Sequence, residues 1–256
     1  MAVMFVAALA DLIAPYDPLA QRADQRLAAP DSTFYFGTDG LGRDVLSRVI
    51  FATRTSLYVG LLAVGLASLV GITIGMISSY HGGAFDLGIQ RIIDILLGFP
   101  FLVLAVILVV ALTPSSTSVA VAVAVALTPQ VARVARSSGL RIKDEPYVLA
   151  ARLSGASALR IVWSHLLPNS LSPILVQITG YFGTAVAAET ALSFLGLGVP
   201  PPFPSWGRML QEGARQYLEA APWTTVFPGL ALSMTVLSSA LLGDGVRDLL
   251  DARRQT

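Results

Sequence analysis

The residues from which any chemistry would have to be built are few. The chain has two histidines, no cysteine, and a single carboxylate, Glu189, inside the apolar run from Leu171 to Leu195. His81 and His165 lie too far apart in sequence to form a local metal motif. Without cysteine there is no disulfide, no thiolate metal site and no thiol nucleophile. No G-x-x-x-x-G-K-[ST] occurs, so ATP is not held by a phosphate loop. Gly37, Gly40 and Gly42 cluster with Asp39 and Asp44, which suits a turn and repels phosphate. No segment resembles a nucleophile elbow, so a Ser-His-Asp site has no motif behind it. The residue types point to packing, docking and gating, and not to covalent catalysis.

Composition says what carries those residues. The chain is 54% hydrophobic and 13% charged, with mean hydropathy +0.69. A soluble domain with so few charges would expose large apolar patches. A net charge of +1 leaves no nucleic-acid footprint. A bilayer core needs ~20 apolar helical residues. Ser56–Ser78, Ile92–Leu112, Ser118–Val131 with its flanks, Leu171–Leu195 and Thr224–Leu242 meet or approach that length. Met1–Ala14 is apolar except for Asp11 but reaches only ~21 Å at ~1.5 Å per residue. It lacks the basic start and clean cleavage site of a signal peptide. It reads as a partial first span.

Between the spans, Tyr147–Asn169 is polar and marked by glycine. Small residues Ala150, Ala151 and Gly155 let another backbone come close, and Pro168-Asn169 is expected to stop the helix and turn the chain back toward the bilayer. The segment 129–170 carries Arg133, Arg136, Arg141, Lys143, Arg152 and Arg160 against Asp144 and Glu145, which places it in the cytoplasm by the positive-inside rule. Arg247, Arg253 and Arg254 in the tail then also lie inside. Within the spans, Gly71 and Gly75 form a G-x-x-x-G suited to close helix packing. Asp94, beside Arg91, reads as a local ion pair.

Two segments outside the spans are amphipathic. Leu41–Phe51 gathers Leu41, Val45, Leu46, Val49 and Ile50 on one face, with Asp44 and Arg48 paired on the other and Thr38 or Asp39 as cap. After the prolines at 200–204, Ser205 can cap a helix whose stripe is Trp206, Leu210, Ala214, Tyr217 and Leu218. Both are expected to lie on the membrane as covers, an outer gate or a docking surface. Glu189 stands about 27 Å along its span from the inner end. An interfacial or inter-subunit hydrogen bond and a polar point in an outer gate are both open to it.

These residues carry a resemblance. Y-V-L-A-A-R-L-S-G at Tyr147 resembles the cytoplasmic loop of ABC-importer permeases that docks on the ATPase, with Leu149 where that family usually has Glu. F-G-T-D-G-L-G-R-D at Phe36, E-T-A-L-S-F-L-G-L-G-V-P at Glu189, F-P-G-L-A-L at Phe227 and L-L-G-D-G-V-R-D-L-L-D at Leu241 resemble the inner-membrane subunit of dipeptide, oligopeptide and nickel importers. A-P-Y-D-P at Ala14 also fits. Thr190 and Ala240 depart from the family's usual Ala and Asn.

The resemblance implies an all-α polytopic membrane protein with the type I ABC-importer transmembrane fold, roughly five to six spans plus interfacial helices. It implies a single permease domain over 1–256, divided as a partial first span (1–14), an extracytoplasmic segment (15–55), spans two to four (56–128), the cytoplasmic ATPase-docking loop (129–170), span five (171–195), an extracytoplasmic segment (196–223), span six (224–243) and a cytoplasmic tail (244–256). The docking set is Tyr147, Leu149, Ala150, Ala151, Arg152, Gly155, Arg160, Pro168 and Asn169. The outer-gate or binding-protein set is Gly37, Asp39, Arg43, Asp44, Glu189, Ser205 and Trp206. The implied role is a non-catalytic permease subunit of an importer in the bacterial inner membrane. Its solute would be a di- or oligopeptide, a nickel chelate or glutathione. The implied partners are a second related permease, two cytoplasmic ATPases bearing ATP and Mg, an extracytoplasmic solute-binding protein and membrane lipid. This chain itself holds no cofactor and no metal, and meets no nucleic acid. The rival class, a stand-alone secondary transporter, would need charged midplanes and repeated halves, and neither is legible.

Overall fold

The computed structural model describes residues 2–252, and the side chains of 3–249. Among the described residues the regular structure is helical, apart from an isolated bridge between Thr38 and Asp44. Two short helices, α1 (Ala2–Ala8) and α2 (Ala10–Ile13), precede α3 (Val45–His81), α4 (Gly83–Leu97), α5 (Phe101–Val110) and α6 (Ser116–Ile142). Then come α7 (Pro146–Leu153), α8 (Ala158–Ile161), a π turn at Val162–Leu166 and α9 (Leu167–Phe194). The last helices are α10 (Trp206–Glu212), followed by a π turn, and α11 (Trp223–Ala252).

Four of these elements are long and apolar enough to cross a bilayer: Val45–His81, Ser116–Ile142, Ala158–Phe194 and Trp223–Leu249. The expected straight span Ile92–Leu112 is instead a pair, α4 and α5, bent by 88°. The break falls at Gly98-Phe99-Pro100. Pro100 has no N–H to donate, and it drives Phe99 away from helical backbone.

Other boundaries move for the opposite reason. Pro129 does not end its helix, so Arg133 and Arg136 lie within α6 and not in a cytoplasmic loop beginning at 129. Pro168-Asn169 does not stop the chain either, because Ala158–Phe194 runs on as one element through the π turn. That wider turn closes with Leu167 N–H donating to Val162 O, and Asn169 Nδ2 donates to His165 O at 2.7 Å. Backbone groups displaced next to the proline thus regain partners.

The chain divides into two compact units: Met1–Leu62, Val106–Val123 and Gly183–Ser238 form the first, and Ala63–Ala105, Ala124–Phe182 and Ser239–Thr256 the second. In the second unit the G-x-x-x-G acts as expected. A Cβ on Gly71 would meet Val131 Cβ at 2.8 Å and Thr128 O at 2.9 Å, and one on Gly75 would meet Ala132 O and, at 2.8 Å, Ala135 Cβ. The α3 and α6 backbones therefore touch through these two positions. Below them a core gathers Met76, Ala135, Val148, Ile161, Val162, Leu166 and Ile174. Asp94 pairs with Arg133 at 2.6 Å and not with its neighbour Arg91, and Asp86 takes both Arg136 (Nε to Oδ1 2.6 Å) and the Ser78 hydroxyl.

In the first unit the Leu41–Phe51 segment is not a separate surface helix. Its residues from Val45 onward are the opening turns of α3. Asp44, and not Thr38 or Asp39, caps that helix: its Oδ2 accepts from Ser47 N–H at 2.8 Å and Ser47 Oγ at 2.6 Å. With Asp44 so engaged, Arg48 turns to Asp39 (Nε to Oδ2 3.4 Å).

Candidate functional site

The segment expected to dock begins at a helix that the sequence starts and stops sharply. Pro146 occupies the first turn of α7, where a missing N–H costs nothing. At its other end Gly155 adopts φ +79°, with Ala156 N–H donating to Ala151 O and Gly155 N–H to Arg152 O, both at 3.1 Å. This paired closure needs left-handed backbone at Gly155. A Cβ there would meet nothing within 4 Å. The glycine therefore serves chain reversal within this chain. Ser157 then caps α8, its Oγ accepting from Arg160 N–H at 3.3 Å.

One residue ties α7 down. Val148 is fully buried in the second unit's core, while Tyr147, Leu149, Ala150 and Arg152 around it are exposed and Ala151 is half-buried. Leu153 is 90% exposed and Leu149 40%. Leu159 and Trp163 beyond the turn are exposed too. Arg152 lies over the Tyr80 ring, 5.4 Å from its centroid, and Tyr147 sits 6.5 Å from the His165 ring. Partial desolvation, with Glu145 nearby, holds the Tyr147 phenol above its ordinary range, so it is a neutral hydroxyl. Arg160, Pro168 and Asn169 are exposed, the last two on the first turn of α9. Sequence reading missed Val148 and Leu153. Their signal was present: Leu149 and Leu153 stand one turn apart in a polar stretch, with Val148 alone on the facing side.

The second set behaves differently. Gly37, Asp39, Arg43, Asp44, Glu189, Ser205 and Trp206 are all buried within the first unit. Asp39 is the hub: its Oδ1 accepts from the N–H groups of Leu41 (2.9 Å) and Arg43 (3.0 Å), and its Oδ2 from Arg43 Nε (2.7 Å). Arg43 also reaches Glu212 at 3.2 Å. Gly37 O accepts from Val45 N–H, and Thr38 O from the Trp223 indole at 3.0 Å. Ser205 caps α10 as expected, accepting from Arg208 N–H at 3.3 Å. Trp206 Nε1 donates to Val49 O at 3.1 Å. Glu189 accepts from Ser193 Oγ (2.7 Å) and Ser56 Oγ (3.1 Å), both in its own chain. Expected in an outer gate or at a binding-protein contact, these seven are buried within the chain and form a polar scaffold. Exposed large hydrophobics near them in sequence include Tyr35, Leu41, Phe203 and Leu218. Of the expected apolar stripe Trp206 is buried, Leu210, Ala214 and Tyr217 are half-buried, and Leu218 is exposed.

Residues 69–256 match the family model described as binding-protein-dependent transport system inner membrane component. The chain belongs to that family. This permease is 40% identical over 253 residues to the dipeptide transport system permease protein DppC of Alkalihalophilus pseudofirmus, covering 99% of this chain and 83% of that one. It is 37% identical over 248 residues to DppC of Bacillus subtilis (97% and 78% covered). It is 39% identical over 249 residues to the glutathione transport system permease protein GsiD of Pectobacterium atrosepticum (97% and 82%). Among solved structures, the inward-facing MetNI methionine ABC transporter aligns with TM-score 0.65 at 18% identity, over 80% of this chain and 96% of that one. The permease fold is thus that of an ABC-importer membrane subunit, and a stand-alone secondary transporter is set aside.

Proposed function

We propose that this permease imports di- or oligopeptides together with a second, related permease, two cytoplasmic ATPases that carry ATP and Mg, and an extracytoplasmic solute-binding protein. Peptide is favoured over glutathione or a nickel chelate because the DppC relatives are named for dipeptide transport. The chain supplies no catalysis and no cofactor site. Its work is to make different contacts in two states, since ATP can shift an equilibrium only through such a difference.

The observation that carries the reading is the exposed apolar face of α7. Leu153, 90% exposed on a helix outside the candidate spans, gains nothing from water. Arg152 and Arg160 flank it and can meet acidic residues at the rim of an ATPase groove. Leu149 adds apolar packing where related permeases usually carry Glu. The basic residues from Arg141 to Arg160 support a cytoplasmic side for α7, and Arg247 for the tail. ATP-driven closure of the ATPases would carry α7 with it and tilt the spans outward, and hydrolysis would reset them.

Leu153→Asp tests the docking. Because the side chain is exposed, the folded permease is expected at wild-type levels. Co-purification of the ATPases and ATP-driven uptake of a labelled dipeptide into proteoliposomes should both fall at least tenfold. Uptake at the wild-type rate would remove α7 from the docking role. ATP-driven uptake of glutathione without any uptake of dipeptide would replace the solute class.

A further inference from the structure

Helix α4 keeps its polar face inward. Asp86, Gln90 and Asp94 repeat at four-residue spacing along one side. Asp86 is buried and takes Arg136 and the Ser78 hydroxyl, Gln90 Nε2 donates to Ser78 Oγ at 3.4 Å, and Asp94 takes Arg133 at 2.6 Å. The opposite side is apolar and open. Phe85, Gly88, Ile92 and Ile95 follow one another there at helical spacing, with Ile92 62% and Ile95 65% exposed. A helix lying on a protein in water shows the reverse pattern.

The pairing register gives the tilt of α4. From Asp86 to Asp94 it advances ~12 Å, while the partners step only from Arg136 back to Arg133, ~4.5 Å along α6. The two helices therefore cross steeply and do not run side by side. Because α6 is long and apolar enough to cross a bilayer, α4 lies close to the membrane plane, and the 88° bend lets α5 stand up from it. The level is that of Ala135 and Met76, in the core that also takes Val148 of α7.

We infer that α4 is an interfacial helix bedded in the bilayer leaflet nearest α7, with phospholipid acyl chains as the partner of its Phe85–Gly88–Ile92–Ile95 stripe. Three observations favour lipid over a protein chain. The stripe is bulky, whereas helices that meet inside a membrane do so through small residues, as α3 does here through Gly71 and Gly75. It offers no hydrogen-bonding side chain, because Asp86, Gln90 and Asp94 are all turned to the protein. The exposed apolar surface also continues past the bend through Phe99, Leu102 and Val103. Since Arg133 takes Asp94, Arg91 stays exposed at the edge of the stripe. Its stem can lie along the acyl chains and its guanidinium can meet a lipid phosphate.

The chain has no cysteine, so a nitroxide can be placed singly through Phe85→Cys, Ile92→Cys or Ile95→Cys. All three side chains are exposed, and a wild-type elution profile confirms that each labelled variant folds. The permease, assembled with partner subunits made cysteine-free, is studied in phospholipid nanodiscs. Electron paramagnetic resonance reads collisions with oxygen, which enters lipid, and with a water-soluble nickel chelate. Oxygen should dominate at all three sites, at depths of ~5–10 Å below the phosphates. Phe85 and Ile95 should differ in depth by no more than ~6 Å, as the register with α6 requires. A difference of ~15 Å, the full rise over ten helical residues, would make α4 an upright part of a span and overturn the inference. Nickel collisions at all three sites would give the stripe to water, and protection from both reagents would give it to another protein chain. Either result overturns the inference as well.

Discussion

The Arg48 guanidinium, 1% exposed, finds its carboxylate in Asp39 at 3.4 Å, although Asp44 stands one helical turn before it in sequence. Asp44 is spent on capping α3, and Asp39 is left to hold both Arg43 and Arg48. A single carboxylate therefore neutralises two buried cations, with Glu212 sharing one of them.

Removing that hub should be severe. Asp39→Asn is expected to destabilise the permease by about 3–5 kcal/mol, the usual result of leaving a buried charge unpaired. Arg48→Met, which removes a cation already short of partners at Nε and Nη2, should cost less. Thermal unfolding of the purified transporter ranks the two. The hub assignment is wrong if Asp39→Asn melts with the wild type.

Gly75→Val should prevent α3 and α6 from meeting. The atoms in the way are the Ala132 carbonyl and the Arg136 N–H, which are backbone and cannot step aside. We expect a loss of at least ~3 kcal/mol and little assembled protein in the membrane. Gly65→Ala, where nothing lies within 4 Å, is the control and should be neutral or slightly stabilising. Fluorescence size-exclusion profiles compare them directly, and a normal profile for Gly75→Val would refute the contact.

Gly155→Ala keeps the docking face but forces a side chain into left-handed backbone. It should cost about 1–2 kcal/mol locally. Hydrogen exchange at Ala156 and Gly155, whose amides close α7, should speed up by roughly tenfold, while the α3 amides keep wild-type protection. Unchanged exchange at both amides would mean that the helix ends by another route.

Glu189→Gln should leave transport within about twofold of wild type, since the amide oxygen can still accept from one of Ser56 and Ser193 while the amide N–H donates to the hydroxyl oxygen of the other. Its stability cost should be about 1 kcal/mol. A collapse of uptake with normal stability would instead give Glu189 an active part in gating.

Cysteines introduced into this cysteine-free chain test which side of the membrane the 15–55 and 196–223 segments face. Leu41→Cys and Phe203→Cys are exposed positions and should react with an impermeant maleimide in intact cells. Ser47→Cys, fully buried, should not. Labelling of Leu41→Cys only after lysis would invert the topology.

Membrane class, most of the helices and the Pro146–Gly155 helix and its turn were legible in the sequence because each is a local property. Apolar length is read residue by residue, and so are Pro146 at a helix start, Gly155 at its end and Ser205 as a cap. The family followed from motifs in order, beginning at Ala14. What the sequence left open were choices settled by distant partners. Pro100 bends its span by 88°, while Pro129 does not end its helix. The difference lies in packing, since α6 beyond Pro129 is held by Gly71 and Gly75. Pro168 continues because a π turn and Asn169 re-satisfy the backbone around it. The amphipathic pattern of Leu41–Phe51 gave a surface helix with Asp44 and Arg48 turned to solvent. In the fold both are buried, Arg48 beside the Asp39 carboxylate and Asp44 accepting from Ser47. Hydrophobic periodicity ranks faces by their cost in water. It cannot register that a charged face becomes the inside once its counter-charges arrive from elsewhere in the chain, and only the tertiary structure brings them.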